Sequence, residues 1–192
     1  LDVGSAGGAF LKSIEDPLIT CDGIEPNKWL VQEAKKNYNE INLFATTIEN
    51  FNPNKKYELI TYWDVFEHLT DINNEIFFVN KLLNKNGYLI LNLLDYGSLH
   101  RKILGFKWPF FLDVHLYYFN KKTIKLFMKN NQFKYIDIIK HVQILKLGYI
   151  IERVINIFPY LKFLSYFVKL FNLENTKVKY NIGQNIYIFK KQ

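Results

Sequence analysis

Apolar positions recur along this chain in two rhythms: short continuous runs, and stretches where they return every three or four residues. The runs read as buried strands and the stretches as helices with one covered face. Residues 1–3 form a strand that enters a glycine-rich turn at 4–8, and a short helix over 9–15 follows. The run at 18–24 predicts the next strand. Pro26 starts a helix reaching Tyr38, because proline is tolerated in a first turn. Residues 43–47 predict a third strand, and Asn52-Pro53-Asn54 carries loop chemistry. Residues 57–63 (YELITYW) are mostly aromatic and β-branched, a fourth strand. Asp71 is placed to cap a helix through Leu83, with Ile72, Ile76, Phe77, Val79 and Leu83 on or near one face. Asn86-Gly87 ends that helix, and 88–94 (YLILNLL) is a fifth strand. A long irregular segment covers 95–120, Asn120 caps a helix through Asn130, and 134–140 and 184–190 complete the strands.

Strands alternating with helices in this way predict an α/β, doubly wound sheet of seven strands. It is mostly parallel with an antiparallel last strand, and helices cover both faces. Such sheets bind ligands beyond the carboxyl ends of their strands, near the topological switch point. Chemistry is therefore expected in the loops after the first, second and fourth strands. The chain reads as a single domain with a helical insertion at about 141–180. Within it, 150–172 (IIERVINIFPYLKFLSYFVKLFN) reads as two helices broken at Pro159. The segment is either a cap over the active site or an interfacial element with aromatic side chains in lipid and lysines among headgroups.

Composition narrows the picture only in places. With 192 residues, about half of them apolar, one globular core is the expectation. The net charge of +7 comes almost wholly from lysine, with arginine only at 101 and 153. The lysines are spread out, as a bias toward Lys, Asn and Ile would give. Nucleic-acid binding favours clustered patches with arginine forks, so no nucleic-acid partner is expected. The single Cys21 forms no intrachain disulfide and sits in a short apolar run, where an inert buried thiol is the usual state. No stretch of about 18 uninterrupted apolar residues predicts a membrane span. A cytoplasmic location is expected, with peripheral contact at the inner membrane face through 150–172 as its extension. The first residue is not Met and the sequence opens inside a strand, so its true start is expected upstream.

The residues that carry chemistry begin with LDVGSAGGAFL at 1–11. Glycines after a strand let backbone approach a ligand closely. Glu25 ends the second strand about twenty residues later, where an acid can accept both hydroxyls of a ribose. Together these suit an adenosine-containing cofactor, either a nicotinamide dinucleotide or S-adenosylmethionine. Starting from Gly4, Ala6 and Ala9 stand where a dinucleotide fingerprint wants its second and third glycines. Asp2, two residues before Gly4, would repel a pyrophosphate and attract the ammonium of a methionine moiety, which favours S-adenosylmethionine.

LDVGSAGGAFL resembles the first motif of the class I S-adenosylmethionine-dependent methyltransferases, D-x-G-x-G-x-G, with Ala6 at the middle glycine. GIEP at 23–26 is similar to the second motif, TYWDVFEHLTD at 61–71 looks like the fourth in its E-H-L form, and NKNGYLIL at 84–91 resembles the strand that follows it. HLYYFNKKTIKLFMKNNQF at 115–133 resembles a segment of one broad bacterial small-molecule subgroup, so the match runs in order from residue 1 to about 140.

The resemblance implies that Asp2 sits near the methionine ammonium and that Gly4, Ser5 and Gly8 line the methionine portion. It implies that Glu25 holds the ribose hydroxyls, Pro26 packs on the adenine, and Thr47 and Ile48 border its edge. Trp63, Asp64 and Val65 would line the cofactor near its methyl, while Glu58 is read as structural. The sulfonium methyl is already activated, so the protein mainly positions and desolvates the reactants. His115 and His68 are the candidate bases, since imidazole titrates near neutral pH. No Cys/His cluster of zinc type is present and no metal is assigned, a carboxylate-bound Mg²⁺ near Glu67 and His68 being the minor alternative. The expected function is methyl transfer to a small-molecule or a glycan- or lipid-linked acceptor. The competing functions are a non-catalytic membrane- or partner-binding subunit of the same fold, a nicotinamide-dependent oxidoreductase, and an RNA methyltransferase.

Overall fold

The alternation seen in the sequence becomes a single sheet and an excursion from it. The computed structural model describes residues 1–14, 16–38, 40–181 and 183–192. In chain order come β1 (Asp2–Val3), α1 (Ala9–Lys12), β2 (Asp22–Ile24), α2 (Lys28–Asn37), β3 (Asn42–Phe44), β4 (Tyr57–Trp63), α3 (Ile72–Leu82) and β5 (Leu83–Leu94). They are followed by α4 (Leu99–Leu104), α5 (Lys121–Asn130), β6 (Phe133–Lys140), β7 (Gln143–Lys146), α6 (Leu147–Ile157), α7 (Phe163–Leu170), β8 (Lys177–Tyr180) and β9 (Gln184–Lys191).

The main sheet has seven strands in the order β3-β2-β1-β4-β5-β9-β6. β1 to β5 pair in parallel, and β9 runs antiparallel between β5 and β6. This is the doubly wound, mostly parallel architecture with an antiparallel last strand that the sequence predicts. After β1 the chain moves outward to β2 and β3, then returns to place β4 on the other side of β1. That reversal leaves a crevice at the carboxyl ends of β1, β2 and β4, where such sheets bind ligands.

The main core joins the sheet to α3 and α5. Ile60, Tyr62, Leu89, Leu91, Ile76, Val79, Ile124, Met128, Tyr187 and Phe189 are fully buried in it. Each such side chain contributes about 1.5–3 kcal/mol from burial. A smaller cluster of Leu11, Val31, Ala34 and Leu43 packs α1 and α2 near the β3 edge. Side-chain caps fix the helix starts: the Asp71 carboxylate accepts from the N–H groups of Asn73 and Asn74, and Asn120 forms a reciprocal box with Thr123.

The structure corrects several boundaries. β2 starts at Asp22 and not at 18, because Leu18 and Ile19 lie in the preceding turn at 91% and 55% exposure. α2 starts at Lys28: Asn27, and not Pro26, ends the loop by accepting from Trp29 and Leu30 N–H. β3 is Asn42–Phe44 and stops before Thr47. β5 begins directly at Leu83, with Asn86 inside it at φ 64, so Asn86-Gly87 distorts a strand and ends no helix. The segment 95–120 contains α4 and a short 3₁₀ turn, Gly105–Lys107. Residue 15, the expected end of the first helix, lies outside the described residues. Cys21 is half-buried against the small cluster, and burial raises its thiol pKa, consistent with an inert thiol.

The excursion between β6 and β9 holds a two-stranded ribbon, β7 paired antiparallel with β8, which the sequence reading missed. α6 and α7 rise from it, separated by a 3₁₀ turn at Pro159–Leu161. Among the described residues no helix is long and apolar enough to cross a membrane.

Candidate active site

The crevice is built first by backbone. Gly4 sits at φ 72, and a Cβ there would stand 2.5 Å from a Val65 methyl, so only glycine lets the first turn lie against the loop after β4. Ala6 follows at φ 44, the left-handed region that the middle glycine of the motif would favour. Its cost of roughly 1–2 kcal/mol is accepted here because its N–H is aimed at Glu25. The Glu25 carboxylate takes that N–H on Oε2 at 3.0 Å and the Asn27 N–H on Oε1 at 2.9 Å. Glu25 thereby ties the glycine turn to the loop after β2, and each oxygen keeps a lone pair for a further donor. Pro26 beside it is exposed.

Asp2 is buried at the start of the two-residue β1 and accepts the Thr61 hydroxyl at 2.7 Å. Burial raises its carboxyl pKa. Ser5 closes the turn by donating to the Asp2 carbonyl at 2.9 Å, and α1 begins from Gly8. Thr47 is exposed and accepts from the Asn50 side chain, while the Ile48 side chain belongs to the main core. A ligand edge could therefore meet Ile48 only through its backbone.

At the end of β4, Trp63 packs its ring 5.1 Å from that of Phe10, with its indole N–H buried and unpartnered among the described residues. Asp64 has φ 55, a conformation that costs a non-glycine residue of order 1–3 kcal/mol. It is over-determined by two donors on one oxygen, Asn92 Nδ2 at 2.8 Å and Gln184 Nε2 at 2.9 Å. His141 in turn meets Asn92 Oδ1 at 3.1 Å. Partial burial raises the Asp64 carboxyl pKa against the pull of the His141, His68 and His115 imidazoles. Asn92, His141 and Gln184 were not singled out from sequence. Asn92 alone left a signal, as the polar residue inside YLILNLL.

The next turn carries the titratable cluster. His68 and His115 have ring centroids 4.7 Å apart. His68 Nδ1 lies 2.9 Å from the Val114 carbonyl, and His115 Nδ1 lies 2.7 Å from the Phe110 carbonyl. A carbonyl only accepts, so in both rings Nδ1 carries the proton and Nε2 of the neutral ring keeps its lone pair. Burial lowers the His115 pKa, and the neighbouring His68 adds to that. Glu67 is 2% exposed and its Oε2 is buried without a partner among the described residues. Burial pushes its pKa up to about 7. Its carbonyl accepts the Leu116 and Tyr117 N–H groups at 2.8 and 3.2 Å, which fastens the two loops together. Ligating atoms of Glu67, His68 and His115 all lie within 4.8 Å of one another, a donor set that could also hold a divalent cation.

A doubly wound sheet with a glycine turn, a buried acid just after its second strand and a histidine pair near its switch point suits a nucleotide-containing cofactor. The chain belongs to the methyltransferase-domain family, whose model matches residues 1–138, and it shares the fold of S-adenosylmethionine-dependent methyltransferases. No match was found among curated protein sequences. Among solved structures it is similar to the YcgJ protein of Bacillus subtilis, with 16% identity, 100% of this chain and 90% of that chain covered, and a TM-score of 0.67. It is also similar to a Thermotoga maritima S-adenosylmethionine-dependent methyltransferase described as a possible histamine N-methyltransferase, at 19% identity, 99% and 79% coverage and a TM-score of 0.61. A third is the plantazolicin methyltransferase BpumL, solved with a triazolic desmethylPZN analog and SAH, at 15% identity, 100% and 75% coverage and a TM-score of 0.64.

Proposed function

We propose that this chain transfers the methyl group of S-adenosylmethionine to a small-molecule or a glycan- or lipid-linked acceptor. The observation that carries the reading is Glu25, whose carboxylate is held by the Ala6 and Asn27 amides at the mouth of the crevice. The residues present fit the cofactor: acids at Asp2 and Glu25 suit an ammonium and a ribose diol, and the unpartnered Trp63 N–H is a donor in want of an acceptor. Glu25 would hold the ribose hydroxyls, exposed Pro26 would pack on the adenine, and Thr47 and the Ile48 backbone would border its edge. Asp2, Gly4, Ser5 and Gly8 would surround the methionine portion, with Trp63, Asp64 and Val65 on its far side. When bound, the cofactor supplies an activated methyl on a sulfonium. The protein's own part is to orient the acceptor and take its proton.

His115 is the base we favour, with His68 second. The Phe110 carbonyl fixes its Nδ1 proton, so Nε2 can accept at neutral pH, and burial keeps the ring uncharged. Glu67 stands beside both rings as a group able to pass the proton on. On the cap, exposed Tyr160, Phe163, Tyr166 and Phe171 beside Lys162 and Lys169 support a peripheral contact with an anionic membrane.

Calorimetric titration with S-adenosylmethionine, repeated on Glu25→Ala with the melting temperature monitored and with NADH as control, tests the reading. We expect micromolar binding to the parent chain and at least tenfold weaker binding to a folded variant. NADH binding in its place would give the nicotinamide enzyme. Binding of neither ligand would give a non-catalytic member of the fold.

A further inference from the structure

A cavity of about 580 Å³ lies between α6 and the 104–112 segment, outside the cofactor crevice. It opens to solvent, and its volume lies in the range of ligand pockets, about 300–1,000 Å³. Its wall is mainly apolar and includes Leu104, Phe110, Leu112, Leu145, Val154 and Ile157. The apolar part of this wall offers water no hydrogen-bond partners, so an occupant with an apolar portion is favoured there.

Two features join this cavity to the candidate site, one to its histidine pair and one to Asp64. Phe110 is a wall residue, and its carbonyl holds His115 Nδ1. Tyr180, another lining residue, donates to Gln143 Oε1 at 2.5 Å, Gln143 donates to Gln184 Oε1 at 3.0 Å, and Gln184 donates to Asp64 at 2.9 Å. One polar chain thus runs from the cavity lining to the strained residue at the end of β4. Charge is supplied by Arg153, also in the lining, whose guanidinium donates to the Tyr149 hydroxyl through Nε at 3.0 Å and Nη2 at 2.7 Å. Among the described residues Arg153 makes no ion pair, which leaves its remaining donors for an anion.

We propose that this cavity holds the apolar chain of the methyl acceptor, an amphiphile whose anionic group, a phosphate or carboxylate, is met by Arg153. The proposal rests on the methyltransferase reading and narrows its acceptor to a chain-bearing lipid. The buried chain would anchor the acceptor while its reactive end reaches the His68–His115 cluster.

Calorimetry with n-alkyl phosphates from hexyl to dodecyl, each below its micelle concentration, tests this on the intact chain. Affinity is expected to rise about fourfold per methylene, the value of a buried CH₂, and to level off once the cavity is full. Val154→Trp, or Leu145→Trp if the first fails to fold, is expected to weaken decyl phosphate at least tenfold and leave S-adenosylmethionine binding unchanged. Arg153→Gln is expected to weaken alkyl phosphates and alkyl carboxylates but not alkanols. The relative loss between the two anions identifies the headgroup. Affinity independent of chain length, indifference to both tryptophan variants, or binding to anionic vesicles without binding to monomeric alkyl phosphate would overturn the proposal. Loss of S-adenosylmethionine binding alone would instead count against the cofactor reading.

Discussion

The sheet and the cap treat their apolar residues in opposite ways. In β4 and β5, Ile60, Tyr62, Leu89 and Leu91 are at 0% exposure, whereas α6 has no buried residue and α7 buries only Val168. Tyr160, Phe163, Tyr166 and Phe171 stand at 54–74% exposure on the cap. Sheet side chains are fixed by packing, so their identity reports the fold. Cap side chains have little to pack against, so their apolar character points to a ligand or a surface. The family match to residues 1–138 stops just short of this boundary. On the reading proposed above, cofactor chemistry would lie in the sheet and acceptor choice in the excursion beyond it.

The largest effect expected concerns the proposed base. His115→Gln should lower single-turnover methyl transfer about 10²–10⁴-fold, the usual contribution of a positioned base, with cofactor affinity intact. Unchanged turnover would remove His115 from the acceptor side and leave His68 to be tested in the same way. Addition of Mn²⁺ and a chelator to the same assay separates proton transfer from a cation held by Glu67, His68 and His115. Next, Leu91→Ala should cost about 2–5 kcal/mol in urea unfolding, whereas Phe167→Ser on the cap should stay within about 0.5 kcal/mol. Equal losses would mean that the cap is part of the core after all.

A smaller effect lies inside the sheet. Buried Asp22 accepts from Tyr57 at 2.7 Å and pairs with Lys55 at 2.6 Å. Burial raises its pKa, but the hydrogen bonds from Lys55 and Tyr57 and the lysine's charge outweigh this and leave it lowered. A lowered folded pKa contributes stability above the unfolded carboxylate value, near 4, that is lost as pH falls through the folded value. Asp22→Asn should therefore cost about 2 kcal/mol at pH 7 and flatten the stability profile below pH 4, as read by denaturant midpoints. A cost that persists unchanged at pH 2 would show that charge is not its source.

The sheet was legible because its signals are local. Asp71 and Asn120 announce their helices through neighbouring amides, and Gly4 and Glu25 sit at spacings set by one strand–helix–strand unit. Where apolarity served other ends, pattern reading failed. Leu18 and Ile19 read as strand and are exposed in a turn. The β7–β8 ribbon joins two four-residue pieces across the whole cap, and no local pattern links them. The site divides in the same way. The two histidines carry motif context and the structure brings them together, but Gln184 reaches Asp64 across a separation of 120 residues.

The place of β9 bears on how the molecule is made. It is the last strand in the chain and yet lies inside the sheet, between β5 and β6. During synthesis, β5 can pair with β4 early, but its other edge stays open until the entire cap has been translated. For that interval the apolar Leu89, Leu91 and Leu93 sit on a strand with one open edge, the condition under which chains aggregate. Closure joins residues nearly a hundred positions apart, an arrangement of high contact order that predicts slow final assembly. The cap is then a long loop that the sheet must close, and its loosely packed helices leave the returning strand free to find its register.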